Sequence, residues 1–399
     1  MNSALEGLRI LDLSQVVSGP VCTQMLADFG ADVVKIERPG SGDLARNTRP
    51  QLGGFGANFL ALNRNKRSLA VDLSHPEGKD IVRALARRAD VLVENFRPGV
   101  LDKLGLGYEA LAAANPGLVY ASISGFGQTG PYRDRKGQDI LAQALGGMMW
   151  RNGARDDPPT FVGFPVADFM AGTLLCQGIL IALQARQRSG RGQRIETNLL
   201  DSVLWPQLQD MTIYLNTRQP PARPPRGGTR PHHGPTSGVF KAQDGYLVVT
   251  LVFETGNHVS KMCALLGLPD LGADPRYATP ALALERYDEL RERFAAEFAK
   301  RPVREWIEEL ERQDVMCAPV QAYEEIAADP QILHNGSLVQ SGHPGGGTLD
   351  SLANPLRMSE TPWHLQSGPP ALGGHTDQIL AELGLEAGIA DLRRRKVVA

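Results

Sequence analysis

Short aliphatic and β-branched runs alternate with helix-length segments over the first 140 residues, and that alternation limits the fold more than any other feature. The runs LRILDL (8–13), DVVKIE (32–37), SLAVDL (68–73), DVLVE (90–94) and GLVYASI (117–123) predict five strands. Between the first two, residues 20–29 predict a helix stopped by Gly30. After the third, residues 74–89 predict another, with Ser74 as N-cap and Pro76 in the first turn. Strands spaced by helices of this length imply an α/β fold, with a parallel, Rossmann-like sheet covered on both faces.

A chain of 399 residues exceeds one simple core, so two domains are expected. Helices at 168–188 and 198–205 are followed by a stretch, 218–235, holding six Pro and three Gly in 18 residues. That composition cannot form a helix or inner strand and marks a boundary. Beyond it, 237–250 predicts a hairpin turning at Asp244-Gly245, and charged helices follow at 285–299 and 302–312, so the second domain is α+β. An irregular, glycine-rich segment at 341–350 precedes a C-terminal helix at 375–384. The expected division is 1–217 (large domain, first part), 218–335 (small domain) and 336–399 (return to the large domain).

With 42 basic and 44 acidic residues the net charge is -2, so no bulk attraction to nucleic acid or anionic membrane is expected. Four widely spaced cysteines without a C-x-x-C motif suit free thiols in a reducing compartment. The N-terminal residues MNSALEGLRI carry no leader pattern, and the longest uncharged apolar run, 169–185, is shorter than a membrane span. A cytoplasmic protein is expected. The first strand–helix turn reads SQVVSGP, with one glycine where a dinucleotide fingerprint needs several, and no Walker A motif is present. Nicotinamide chemistry is therefore disfavoured. Basic residues cluster instead near predicted strand ends: Arg38; Arg64, Lys66 and Arg67; Arg97 and Lys103; Arg133, Arg135 and Lys136. Singly each is an ordinary surface charge; jointly, mostly at the carboxyl ends of a parallel sheet, they suit a ligand with several phosphates.

Asp168 heads a stretch with no further charge until Arg186. The local pattern fits a helix N-cap first and a reacting carboxylate second.

The segments LDLSQVVSGP, LADFGADVVKIERPGSGD, NKRSLAVDL, VENFRPG, SGFGQTGPY, the VAD at 166–168 and the closing PALGGHTDQILAELG occur in order along nearly the whole chain. Together they resemble the family III CoA-transferases (CaiB/BaiF type), which include formyl-CoA:oxalate and carnitine CoA-transferases. The resemblance implies an aspartate nucleophile at Asp168. It implies CoA contacts from Val16, Val17 and Ser18; Arg38; Val71, Asp72, Leu73 and Ser74; Asn95, Phe96 and Arg97; Lys103; and Lys136, Gly137, Gln138 and Asp139. It further implies an interlocked homodimer whose large domain is built from N- and C-terminal segments around an inserted small domain. It implies an acyl-CoA and a small carboxylic acid as substrates, with no permanently bound cofactor or metal expected.

A carboxylate suits CoA transfer because its adducts, an anhydride and a thioester, lie close in energy to the thioesters exchanged. At its usual pKa of about 3.9 an aspartate is ionised at pH 7, and a helix N-terminus would favour the anion and offer N–H groups to an oxyanion. The related α-methylacyl-CoA racemases are the competing reading. They pair the aspartate with a His in a GHDIN stretch; here the run is Gly137-Gln138-Asp139-Ile140-Leu141, and glutamine exchanges no proton near neutral pH. Two departures point away from oxalate: Val17 stands where the formyl-CoA:oxalate branch has Gln, and no long glycine run supplies that branch's flap. Arg46, Arg49, Arg230 or His233 would be the partners of a second carboxylate, and a succinyl group is the expected donor.

Overall fold

The computed structural model describes residues 3–229, 233–251 and 257–399. The chain divides into two compact units. The larger comprises Met1–Met148, Val162–Pro206 and Pro330–Ala399; the smaller comprises Met149–Phe161 and Gln207–Asp329. The boundary expected at 217/218 falls at 206/207, because a helix (Leu208–Thr217) that the sequence reading missed opens the small unit. The second boundary falls at 329/330 instead of 335/336, and 149–161 adds a further piece to the small unit.

The larger unit is organised by six parallel strands: β1 (Arg9–Asp12), β2 (Asp32–Glu37), β3 (Lys66–Ala70), β4 (Val91–Glu94), β5 (Val119–Ser124) and β6 (Arg194–Asn198). Their order is β3-β2-β1-β4-β5-β6, with every pairing parallel. The order reverses between β1 and β4, the switch point at which ligands bind in such sheets. Successive residues of a strand face opposite sides, and both faces are covered. Ile10 and Val33 join one core with Val91, Val93, Val119 and Ala121. Leu11 and Val34 join the other with Leu69, Leu92 and Tyr120. This is why the first five strands read as near-continuous apolar runs. β6, RIETN, is an edge strand with no such run and escaped the sequence reading.

Two helices position the site. α1 (Ser18–Asp28) and α2 (Val166–Ser189) contribute Cys22, Leu26, Ala171, Leu175, Cys176 and Ile179 to the first core. They approach closely at Gly172, where a Cβ would stand 2.4 Å from the carbonyl oxygen of Ser18. α2 has 24 residues, and an 18-residue window of it has a mean hydropathy of 1.8, so it is long and apolar enough to cross a membrane, beyond the expected 17-residue run; its inner residues pack on the sheet as in a core helix. The C-terminal segment returns to the other core with Ile379, Leu380, Leu392, Val397 and Val398, and Val398 bridges Val71 beyond β3.

The predicted hairpin of the small unit is Gly238–Lys241 with Tyr246–Thr250, joined by Met316–Pro319 in an antiparallel sheet. Its core includes Phe240, Leu247, Val249, Phe294, Phe298 and Trp306. The segment expected to be irregular at 341–350 instead forms the turn and flanks of a hairpin, Leu338–Gly342 with Thr348–Leu352; Gly346 and Gly347, at φ of 99° and 82°, supply its left-handed turn residues.

Two cap assignments change. His75 occupies the N-cap of Pro76–Ala86, because the Asp72 carboxylate captures both the N–H and hydroxyl of Ser74 at 2.8 Å. Pro165, not Asp168, is the N-cap of α2, and Asp168 is the third residue of its first turn.

Candidate active site

The turn after β1 is held from below and from one side. Val16 adopts φ 68°, a left-handed conformation costly for a β-branched residue. Its N–H donates to Asp43 Oδ1 at 3.0 Å. Asp43 Oδ2 lies 2.9 Å from Lys35 Nζ, which also donates to the Ser14 carbonyl at 2.8 Å. Across the switch point, Asn95 after β4 grips the main chain of Gln15 twice: its Oδ1 accepts from Gln15 N at 2.8 Å and its Nδ2 donates to Gln15 O at 2.7 Å. The same Nδ2 reaches Ser18 Oγ at 3.3 Å, and the Ser18 side chain is close enough to the Asp168 carboxylate to lower its pKa. The loops after β1 and β4 are thus hydrogen-bonded together, with the first turn of α2 beside them.

Asp139 completes it. Its Oδ2 accepts the main-chain N–H of Asp168 at 3.0 Å and its Oδ1 accepts from Gln143 Nε2 at 2.6 Å. A carboxylate at the head of α2 is favoured by the exposed N–H groups there, but it belongs to Asp139. Asp168 is left partly buried beside a like charge. Burial first, and Asp139 second, push its pKa up to about 7, against the lowering effect of Ser18. The expectation of an ordinary, fully ionised aspartate that caps its helix is therefore corrected.

The other expected segments leave the same sheet edge. Arg38 follows β2 and is exposed; Val71–Ser74 follow β3. The two are adjacent: Asp72 is held below the usual carboxylate range by the Ser74 N–H and hydroxyl and then by the Arg38 charge. Val71 and Val17 are buried, so only their main chains can meet a ligand. Phe96 N donates to Glu94 Oε2 at 2.8 Å, and Glu94, buried at the end of β4, is pushed up to about 8 by that burial. Arg97 and Lys103 are exposed. Residues 136–138 are exposed too, and they are tied to the end of β5 because Gly137 and Gly125 cross so closely that a Cβ on either would stand 2.5 Å from the other's Cα.

Several basic residues prove structural. Arg64 forks onto Asp28 at 2.9 and 2.6 Å, Lys66 is buried against Asp12 at 3.2 Å, and Arg67 pairs with Asp32 and Glu382. They precede β3 or begin it, away from the carboxyl edge. Arg46 is buried with Nε and Nη2 on Glu37, at 2.6 and 2.7 Å, and Nη1 on the Pro370 carbonyl at 3.1 Å, and is unavailable to a substrate. Arg49 is exposed. His233 Nδ1 lies 2.6 Å from Thr229 Oγ1, and Arg230 falls outside the described residues. Among the described residues no group of three His, Cys, Asp or Glu is arranged to hold a metal. Asp43, Glu94 and Gln143 join the site without being among the residues expected from sequence. Glu94 left a trace as an acid ending an apolar strand; Gln143 left one in its four-residue spacing from Asp139.

The model of CoA-transferase family III matches residues 5–376. The chain belongs to that family. It is 37% identical over 421 residues to the formyl-CoA:oxalate CoA-transferase of Bradyrhizobium diazoefficiens, covering 100% of this chain and 98% of that protein. It is 36% identical over 384 residues to the succinyl-CoA:glutarate CoA-transferase of Mus musculus, covering 95% and 86%. Among solved structures, a CaiB/BaiF family protein from Brucella suis superposes with a TM-score of 0.87 at 34% identity, covering 96% of this chain and 100% of that one. This family III member is a CoA-transferase, and the carboxyl edge of its six-stranded sheet carries the segments that the resemblance assigned to CoA.

Proposed function

We propose that the enzyme moves CoA from a dicarboxylic acyl-CoA, succinyl-CoA being the expected donor, to a carboxylic acid through covalent adducts on Asp168. The carrying observation is Asp168 itself, partly buried, with its main-chain N–H held by Asp139 and its carboxylate beside Ser18, which the loop after β4 engages through Asn95. In the cycle, an Asp168 carboxylate oxygen attacks the thioester carbonyl and the C–S bond breaks, releasing CoA thiolate and leaving an aspartyl anhydride. The thiolate attacks the aspartyl carbonyl and expels the donor carboxylate, giving an aspartyl-CoA thioester. The acceptor carboxylate then attacks the aspartyl thioester carbonyl and breaks its C–S bond, releasing CoA thiolate and giving a second anhydride; the thiolate attacks the acceptor's acyl carbonyl and expels the Asp168 carboxylate. Only the ionised form attacks, so a pKa of about 7 makes the reaction fail in acid.

The segments 16–18, 38, 71–74, 95–97, 103 and 136–139 are assigned to CoA, with Arg38, Arg97, Lys103 and Lys136 meeting its phosphates. The pairing of two interlocked protomers belongs to the same proposal; Phe169, Leu180 and Ile181, exposed on α2, are apolar surface that a second copy would cover. Gln138 weighs against the racemase reading, since it cannot supply the second proton-transfer group.

The test incubates enzyme with succinyl-CoA, traps with hydroxylamine or borohydride, and maps the adduct. Modification of Asp168 is expected; modification elsewhere refutes the mechanism. Exchange of α-hydrogen in D₂O without an added acid would favour the racemase instead.

A further inference from the structure

Gln143 lies on the short helix Asp139–Leu145, and only 1% of its surface is exposed. Both ends of its amide are engaged. Nε2 donates to Asp139 Oδ1 at 2.6 Å, and Oε1 accepts the N–H of Val162 at 2.9 Å. A carboxylate demands the NH₂ end and a peptide N–H demands the oxygen, so the amide has one orientation. At four residues' separation on one helical face, Gln143 fixes one oxygen of Asp139. The other oxygen is thereby aimed at the N–H of Asp168, at 3.0 Å. Val162 begins the four residues that lead into α2, so the same amide also fixes the entry of the chain that carries Asp168.

We infer that Gln143 is a positioning residue for the transfer reaction, clamping Asp139 and the 162–165 entry so that Asp168 faces the substrate in one geometry beside one fixed like charge. The inference rests on the reading of Asp168 as nucleophile. Asp139 is the charged group that faces Asp168, and Ser18 is the polar one. Loss of the clamp therefore has two effects. The carboxylate of Asp168 loses alignment, and Asp139 is free to swing away, which removes part of what raises the Asp168 pKa. A buried amide that merely satisfied polar groups would affect stability alone.

Two variants separate these outcomes. Gln143→Met keeps the volume and removes both hydrogen bonds. Its kcat should fall about 10- to 100-fold, the scale of a small misplacement of a reacting group. The acidic limb of kcat/KM should move to lower pH, with CoA affinity by titration within about twofold of the parent. Gln143→Glu keeps an acceptor for Val162 but adds a carboxylate beside Asp139, and should move the limb to higher pH. If both enzymes retain kcat within about twofold and an unmoved limb, or if both limbs move the same way, the inference is overturned. If Gln143→Met fails to fold, the direction of the Gln143→Glu limb decides alone. Adduct mapping on the parent enzyme separates the two levels: an adduct away from Asp168 removes the nucleophile reading and this inference with it. An adduct on Asp168 with unmoved limbs removes only the role of Gln143.

Discussion

Two aspartates at the same sheet edge are driven in opposite directions. Asp12, the last residue of β1, is fully buried. Burial alone would raise its pKa. Lys35, with its Nζ 4.0 Å away, and Lys66, 3.2 Å away, together with the hydroxyls of Ser14 and Thr23, outweigh burial and bring the pKa down to about 2. Asp168 is less deeply buried, yet its charged neighbour is Asp139, and its pKa stands at about 7. Burial has one sign for every carboxylate; the charges facing it decide the outcome. Asp12 is a permanent anion beneath the first loop. Asp168 is a carboxylate whose charge is costly, which is what a nucleophile that must be discharged into an anhydride needs.

Replacing Asp168 breaks the comparison most severely. Asp168→Asn should lower kcat by about 10⁶-fold, the scale seen when a covalent nucleophile is removed. It should also raise the melting temperature at pH 8. The sign follows from linkage: the folded-state pKa lies above the unfolded one, so the fold loses stability as pH rises from about 4 to about 7, with the full penalty present above that. The melting difference should shrink as pH falls through this window and vanish only below about pH 4. A variant less stable than the parent at pH 8 would contradict the burial argument.

Asp12→Asn should instead cost stability, about 3–5 kcal/mol by denaturant titration, because Lys35 and Lys66 lose the buried charge between them. The Asp12 contribution has the opposite pH dependence: it is present above about pH 4 and lost as pH falls toward 2. Gly172→Ala should cost about 1–3 kcal/mol, since its methyl group must displace the Ser18 carbonyl. Activity should fall beyond the loss of folded enzyme, because Ser18 also sits beside Asp168 and lowers its pKa; kcat at a temperature where the variant is fully folded checks this. Asp139→Asn is the finest test. Removing the like charge should move the acidic limb of kcat/KM to lower pH, by about one unit. An unmoved limb would leave burial as the sole cause of the raised pKa.

Much of the frame is legible in the residues. The apolar runs at 8–13, 32–37 and 90–94 announce strands because both faces of a parallel sheet are dry, and each appears within two residues of its predicted ends. β6 is not legible, because an edge strand needs no continuous apolar run. Residues 341–350 misled because glycine marks a tight turn and a loose loop alike. In the site, the basic residues are identical by type, and only position separates Arg97, exposed at the carboxyl edge, from Arg64, locked on Asp28. The cap of α2 failed for a related reason: local spacing nominated Asp168, while the carboxylate that takes the helix N–H arrives from 29 positions earlier.

The sequence by itself determined the parallel α/β sheet, the family and the aspartate at the head of a long apolar helix, since all three rest on patterns within short stretches. Only the tertiary structure decided what that aspartate is. Its ionisation depends on the distance to Asp139, on the burial at the switch point and on the hydroxyl of Ser18, and each of these is fixed by where chain segments distant in sequence come to lie.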